Sequence, residues 1–342
     1  MSLSSNQGFQ KVPLGRTGML ISRVGFGAWA VGGGDWSVGW GPQDDAASIA
    51  AIRYAVEQGI NWIDTAAAYG LGHSEEVVAK ALEGLPHSMR PFLFTKCGVV
   101  GDLAHRQEMP KRIGRPKSIR EEVEQSLRRL QVDQIDLYQM HWPPQDGTPI
   151  EEYWQTLLDL KREGKVRAVG LSNHDVDSLR RAECLGHVDT LQPPFSAIQR
   201  QSAVSEIPWC ATHETGVIVY SPMQSGLLSG RFNAERAASL PPSDWRSRSE
   251  EFRGEKLARN LALAEALRPI GRTHQVSAGV VAIAWSLAWP GVTGAIVGAR
   301  SAEQVRGWLP ACSLHLSEAE LETVSSAIES TGAGYGLSRA AD

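Results

Sequence analysis

The sequence predicts an α/β protein in which eight short strands alternate with helices, either closed as a (β/α)8 barrel or open as a doubly wound sheet. Short β-branched and aromatic runs are each followed by an amphipathic stretch. Those runs lack strict alternation, as strands buried on both faces do. The chain has 342 residues with 42% hydrophobic content, enough to bury one large core.

The segments Phe9–Leu14 and Met19–Val24 flank Gly15-Arg-Thr-Gly18 and predict a β-hairpin ahead of the first buried strand. Such a hairpin suits a plug across the bottom of a barrel. The eight buried strands are expected at Val24–Gly27, Asn61–Ile63, Phe92–Lys96, Ile135–Met140, Val166–Leu171, Thr190–Gln192, Val217–Tyr220 and Gly294–Val297. Ala46–Glu57 sets Ile49, Ile52, Arg53 and Val56 on one helical stripe, and Glu121–Leu130 does the same with Val123, Leu127 and Leu130. Ser118 with Glu121, Ser301 with Gln304 and Ser317 with Glu320 have the spacing of a capping box. Three long loops, Ala28–Asp44, Gly98–Lys117 and Ser229–Arg253, each follow a strand. In a barrel they rise from the C-terminal face, where active sites sit.

Composition narrows the function. A formal charge of −4 argues against nucleic acid or an anionic membrane as partner. Cys97, Cys184, Cys210 and Cys312 form no CxxC pair and read as free thiols of a reducing compartment. The stretch MSLSSNQGFQKVPLG has no apolar core of a secretory signal. The most apolar run, Val280–Trp289, is too short to span a bilayer. A cytoplasmic protein is expected, and no composition shift divides residues 1–342 into more than one domain.

Gly25-Phe-Gly-Ala-Trp-Ala30 formally matches a dinucleotide fingerprint, but Val-Gly-Gly-Gly-Asp-Trp follows where that fingerprint needs a helix. No phosphate-binding P-loop is present, and the nine histidines lack metal-ligand spacing, so no metal is expected. The informative polar residues stand where apolar runs end: Asp64, followed by Tyr69, then Lys96 and His141. Each alone has a bland explanation: a turn cap, a packed aromatic, an ion-pair partner, a satisfied core histidine. At the ends of three successive strands they converge. A Lys ammonium beside a tyrosine favours the phenolate and lowers its pKa, and a carboxylate keeps that ammonium charged. A neutral His orients a carbonyl oxygen. Together the four protonate the alkoxide formed when hydride reaches a carbonyl carbon.

These residues, with Leu14-Gly-Arg-Thr-Gly18, Gly25-Phe-Gly-Ala-Trp29, Ser74-Glu75-Glu76, Gly170-Leu-Ser-Asn173, Tyr220-Ser-Pro-Met-Gln-Ser-Gly226 and Gly298-Ala-Arg300, resemble the aldo-keto reductases from about Phe9 to Val305. The layout is most similar to the bacterial general-reductase branch, itself similar to the potassium-channel beta subunits. The resemblance implies a (β/α)8 TIM barrel that binds NADPH (NADP+), with NADH a second choice, across its C-terminal face. It implies Asp64, Tyr69, Lys96 and His141 as catalytic tetrad. It implies that Ser172, Asn173 and Gln192 hold the nicotinamide carboxamide and that Tyr220 stacks on the ring. Gly27, Trp29, Ser221, Pro222, Gln224, Gly226, Leu228 and Arg231 are further implied cofactor contacts. Gly298, Arg300, Ser301 and Gln304 match the pocket for the 2′-phosphate and adenine. Two positions depart from the pattern: Trp308 stands where Asn is common, and Met223 where Leu is usual. Trp308 either stacks on the adenine or forgoes a hydrogen bond to it.

The partner expected is a small-molecule carbonyl compound; no oligomeric state is specified. Trp29 and Trp142, with Tyr69 and His141, are expected to line the substrate site, and Trp36 and Trp40 to rim it, which suits an apolar aldehyde or ketone. Arg106, Lys111, Arg112, Arg115 and Lys117 share one loop and form either a solvated face or an attractor of anionic substrates. Two rival functions are a cofactor-binding regulatory subunit with slow turnover and a barrel lyase using Lys96 as a Schiff base.

Overall fold

The computed structural model describes residues 9–340, so most of the N-terminal stretch read above for a secretory signal lies outside it. Eight parallel strands close into a barrel: β1 (Val24–Gly27), β2 (Trp62–Asp64), β3 (Phe92–Cys97), β4 (Ile135–Met140), β5 (Val166–Ser172), β6 (Thr190–Gln192), β7 (Gly216–Tyr220) and β8 (Gly294–Gly298). Pairing of β8 with β1, from Ala295↔Val24 to Gly298↔Gly27, completes the ring and excludes the open sheet. Every expected strand is present. The one at Asn61–Ile63 moves along by one residue, which puts Asp64 on the strand itself.

Helices wrap the outside. After β1 to β6 come α1 (Asp45–Glu57), α2 (His73–Leu82), α3 (Pro116–Leu130), α4 (Ile150–Arg162), α5 (Val176–Glu183) and α6 (Glu206–His213). Between β7 and β8 lie α7 (Ala234–Ala238), α8 (Gly254–Thr273) and α9 (Ala278–Ala288), and after β8 come α10 (Ala302–Trp308) and α11 (Glu318–Thr331). Among the described residues no helix is long and apolar enough to cross a membrane. The three capping expectations separate. Ser317 and Glu320 make a full reciprocal box at α11. Ser301 caps α10, but the Gln304 side chain accepts from the Arg300 N–H instead of that of Ser301. At α3 the box is absent. The helix starts earlier, with Pro116 preset for a first turn, so Ser118 is already helical and donates to Glu122 at 3.0 Å.

Strand alternation sorts side chains between two cores. Leu93, Tyr138, Met140, Val169, Val217, Val219, Ala295 and Val297 face outward to the helices. Trp62, Phe94, Leu137, Ala168, Ile218 and Ile296 face inward, where Leu14, Met19 and Ile21 of the N-terminal hairpin pack beneath them. The hairpin is shorter than expected, Lys11–Pro13 paired with Leu20–Ser22, and it closes the barrel floor. Trp62 fills so much of that floor that a Cβ on Gly25 would sit 2.2 Å from its ring.

Two residues further along four of these strands, the inward positions turn polar. Trp62 is followed on its face by Asp64, Phe94 by Lys96, Leu137 by Gln139 and Ile218 by Tyr220. One period-2 register therefore builds both an apolar floor and a polar mouth. The long loops are not structureless. The second contains a small hairpin, Val99–Val100 against Lys111–Arg112, and the third holds α7 and two short helical turns.

Candidate active site

Lys96 is 1% exposed, far too buried to remain charged unpaired. Its Nζ donates to Asp64 Oδ1 at 2.5 Å, to the Thr65 carbonyl at 2.9 Å and to Tyr69 Oη at 3.4 Å. The β2 and β3 ends thus carry a buried ion pair directed at the tyrosine. Tyr69 follows β2 on a tight turn in which Gly70 and Leu71 have φ of 62° and 58°. The turn lies flush on the loop after β1, because a Cβ on Gly70 would meet the Gly32 carbonyl oxygen at 2.2 Å. His141 follows β4, with its ring centroid 5.6 Å from that of Tyr69 at 79°.

Ser74 and Glu75, seen in the sequence only as a motif, fasten this end of the barrel. Ser74 donates to the Ala28 carbonyl at 2.9 Å. Glu75 accepts from Thr95 at 2.6 Å and from Arg129 at 2.7 Å. They hold β1, β3 and α3 to α2 from outside the barrel.

Electrostatics correct one sequence expectation. Lys96 was expected to lower the Tyr69 pKa. Burial first, and then the Asp64 carboxylate, instead raise it well above 10.0. The reason is geometric: the Lys96 charge is spent on Asp64 at 2.5 Å, nearer than the phenol at 3.4 Å. Burial also lowers the Lys96 pKa, against the opposing pull of Asp64. Burial, then the positive charges of Lys96 and Arg112, hold His141 well below its usual 6.5. The tyrosine is therefore a protonated donor and the imidazole is neutral at pH 7, with its Nδ1 buried and without a partner among the described residues.

A cavity of about 660 Å³ opens above this cluster. Gly27, Trp29, Asp64, Tyr69, His141, Trp142, Ser172, Asn173, Gln192, Tyr220, Ser221, Pro222, Gly226, Arg231, Gly298, Arg300 and Gln304 all line it. Lys96 lies behind the wall. Gln224, Leu228 and Ser301 are not on the wall: Gln224 accepts from Ser196, Leu228 is fully buried, and Ser301 caps α10. The strand-end polar side chains bond one another. Tyr220 Oη donates to Asn173 at 2.7 Å, Asn173 to Ser172 at 3.0 Å, Ser172 to the Gln192 carbonyl at 2.9 Å, and Gln192 to Asp64 at 2.9 Å. Asn173 and Ser221, at the ends of β5 and β7, have left-handed φ of 62° and 57°. Such strain persists where surrounding structure enforces it, often at binding sites.

Trp36 and Trp40 line the wall as the loop reading anticipated. Sequence reasoning passed over Trp245, Arg246, Phe232 and Arg236. An isolated bridge, Trp40↔Asp244, joins the loops after β1 and β7. Across it Trp29 stacks on Trp245 with centroids 5.5 Å apart and meets Trp40 edge-on at 5.1 Å. Arg300 ties the same loop from the other side, donating to Gln43 at 2.6 Å and to the carbonyls of Pro42 and Trp40. Burial, then repulsion from Arg246 and Arg236, both of which also reach the cavity, lowers the pKa of its guanidinium. Trp308 lies on the wall, 3% exposed, with its indole N–H unpartnered.

The family model of the Aldo/keto reductase family matches residues 23–329. An NADH-specific methylglyoxal reductase of Escherichia coli (strain K12) is 35% identical over 320 residues, 91% of this chain and 96% of that protein. The aldo-keto reductase yakc [NADP(+)] of Schizosaccharomyces pombe is 26% identical over 86% of this chain and 87% of its own length. Among solved structures, the glycerol dehydrogenase AKR11B4 from Gluconobacter oxydans superposes with a TM-score of 0.84 at 33% identity, covering 96% of this chain and 97% of that one.

Proposed function

The chain belongs to the aldo/keto reductase family and is an NAD(P)H-dependent oxidoreductase, and from that premise we propose that it reduces aldehyde or ketone carbonyls using NADPH, with Tyr69 as general acid. The observation that carries the reading is the Asp64–Lys96–Tyr69 chain beside a neutral His141 at the inner end of a long cavity. A nicotinamide cofactor bound there supplies the hydride.

The wall chemistry fits such a cofactor. Amide and hydroxyl groups of Ser172, Asn173 and Gln192 gather at the catalytic end, and arginines 231, 236, 246 and 300 at the other. Guanidinium groups match phosphates bidentately. Gly298 leaves open wall beside Arg300, since a Cβ there would find its nearest atom at 3.5 Å. The protein's own work is then proton handling and orientation. His141 donates to the carbonyl oxygen and fixes its direction toward Tyr69. Tyr69 gives its proton to that oxygen as negative charge develops, and Lys96, held by Asp64, stabilises the phenolate left behind. Aromatic walls from Trp29, Trp40 and Trp142 exclude water from the exchange.

Titration of tryptophan fluorescence with NADPH and with NADH tests the reading. NADPH is expected to bind more tightly, and Arg300→Ala to weaken NADPH more than NADH. An unchanged ratio removes Arg300 from 2′-phosphate recognition, and no binding of either dinucleotide removes the hydride source and the function with it.

A further inference from the structure

The loop between β3 and α3 carries Arg106, Lys111, Arg112, Arg115 and Lys117. Most of this charge is directed away from the cavity. Arg106 pairs with Asp35 at 2.9 Å, Arg115 with Asp146 at 3.5 Å, and Lys117 with Glu121 at 3.9 Å along α3. Lys111 is exposed to solvent.

Arg112 is different. It pairs with Val99 in the small hairpin, which turns its side chain onto the cavity wall. Its guanidinium carbon stands 4.4 Å from the Trp142 ring centroid. Stacking of this kind leaves the N–H edges of the fork available. Among the described residues Arg112 makes neither an ion pair nor a side-chain hydrogen bond. The carboxylate at the catalytic end, Asp64, is already taken by Lys96 and Gln192. Trp142 directly follows His141, and the Arg112 charge is felt at both His141 and Tyr220. A cation without a counterion therefore borders the place where a carbonyl would react. Neighbouring Met109 and Pro110 are apolar and offer it no competing acceptor side chain.

We propose that Arg112 selects carbonyl substrates bearing an anionic group, a carboxylate or a phosphate, at the end away from the reacting carbon. This rests on the carbonyl-reductase reading and adds a substrate class to it. Arg112 acts in recognition and takes no part in proton or hydride transfer.

The test compares matched pairs with the full-length protein and saturating cofactor: 4-oxobutanoate against pentanal, and glycolaldehyde phosphate against glycolaldehyde. The anionic member of one pair is expected to have the higher kcat/KM by about 10- to 100-fold, the range of a charge-assisted hydrogen bond. Which pair responds distinguishes carboxylate from phosphate. The advantage resides in KM, shrinks as ionic strength rises, collapses in Arg112→Met and partly returns in Arg112→Lys. Cofactor titration of Arg112→Met establishes that the variant is folded. Equal kcat/KM within both pairs, or a preference that survives in Arg112→Met, overturns the proposal while leaving carbonyl reduction standing. Failure to reduce any of the four aldehydes with either cofactor overturns both.

Discussion

In the proposed reduction Tyr69 is the residue on which the chemistry turns, and its environment sets a direction for the pH dependence. Burial and the Asp64 charge raise its pKa, so the phenol remains protonated throughout the neutral range. Carbonyl reduction consumes that proton and is expected to be flat with pH through neutrality. Alcohol oxidation needs the phenolate, so its kcat/KM should rise with pH and still be rising near pH 10, about the ordinary tyrosine value. A plateau near pH 7 would mean that the Lys96 charge outweighs burial and Asp64 at the phenol. Tyr69→Phe should lower kcat by about 100- to 10,000-fold and leave the dinucleotide dissociation constant unchanged, the signature of a lost general acid. Equal losses in both would make the ring a packing element. Three of the four candidate residues, Asp64, Lys96 and His141, were legible in the sequence because each is a polar group where an apolar run stops, and Tyr69 was read from its place five residues after Asp64. The sign of the Tyr69 shift was not, because it depends on which of two partners lies nearer to Lys96 Nζ.

At the scale of elements, strands were easier to read than caps. A strand buried on both faces needs only an apolar run of the right length, and all eight runs became barrel strands. A cap depends on where the preceding chain enters. Pro116 started α3 ahead of Ser118, and Gln304 turned to Arg300 instead of Ser301. Ser317 had no such competitor, and Glu320 also meets His274 at 2.6 Å, tying α11 to the end of α8. Ser317→Ala should cost about 1 kcal/mol of stability in urea unfolding, within the usual range for a lost N-cap. It should leave kcat unaltered, since α11 contributes nothing to the cavity wall. An unchanged urea midpoint would assign the hold on α11 to the His274 contact alone.

Across the whole molecule, stability and function occupy different storeys of one barrel. The floor is a packed layer around Trp62, and the mouth is a ring of polar side chains bonded to one another. Gly25→Ala, which drives a Cβ to 2.2 Å from the Trp62 ring, should destabilise by about 1–3 kcal/mol or more. Gly298→Ala, with 3.5 Å of clearance, should leave stability almost unchanged and weaken dinucleotide binding at the wall. Unfolding curves and cofactor titrations of the two variants separate the storeys; matched losses in both assays would join them. Contacts between distant loops were the least legible part of the site. Arg246 reaches the wall, and Trp245 stacks on Trp29, through the Trp40↔Asp244 bridge, a pairing across some two hundred residues of chain that no local periodicity encodes. The plugged floor has one more effect. Among the described residues Leu14, Met19 and Ile21 seal the far end, so the barrel is entered from its C-terminal face. Whatever settles against Gly27 and Ile296 deep inside and whatever rests at Met109 on the rim share that entrance. The fold thereby brings all traffic to one face.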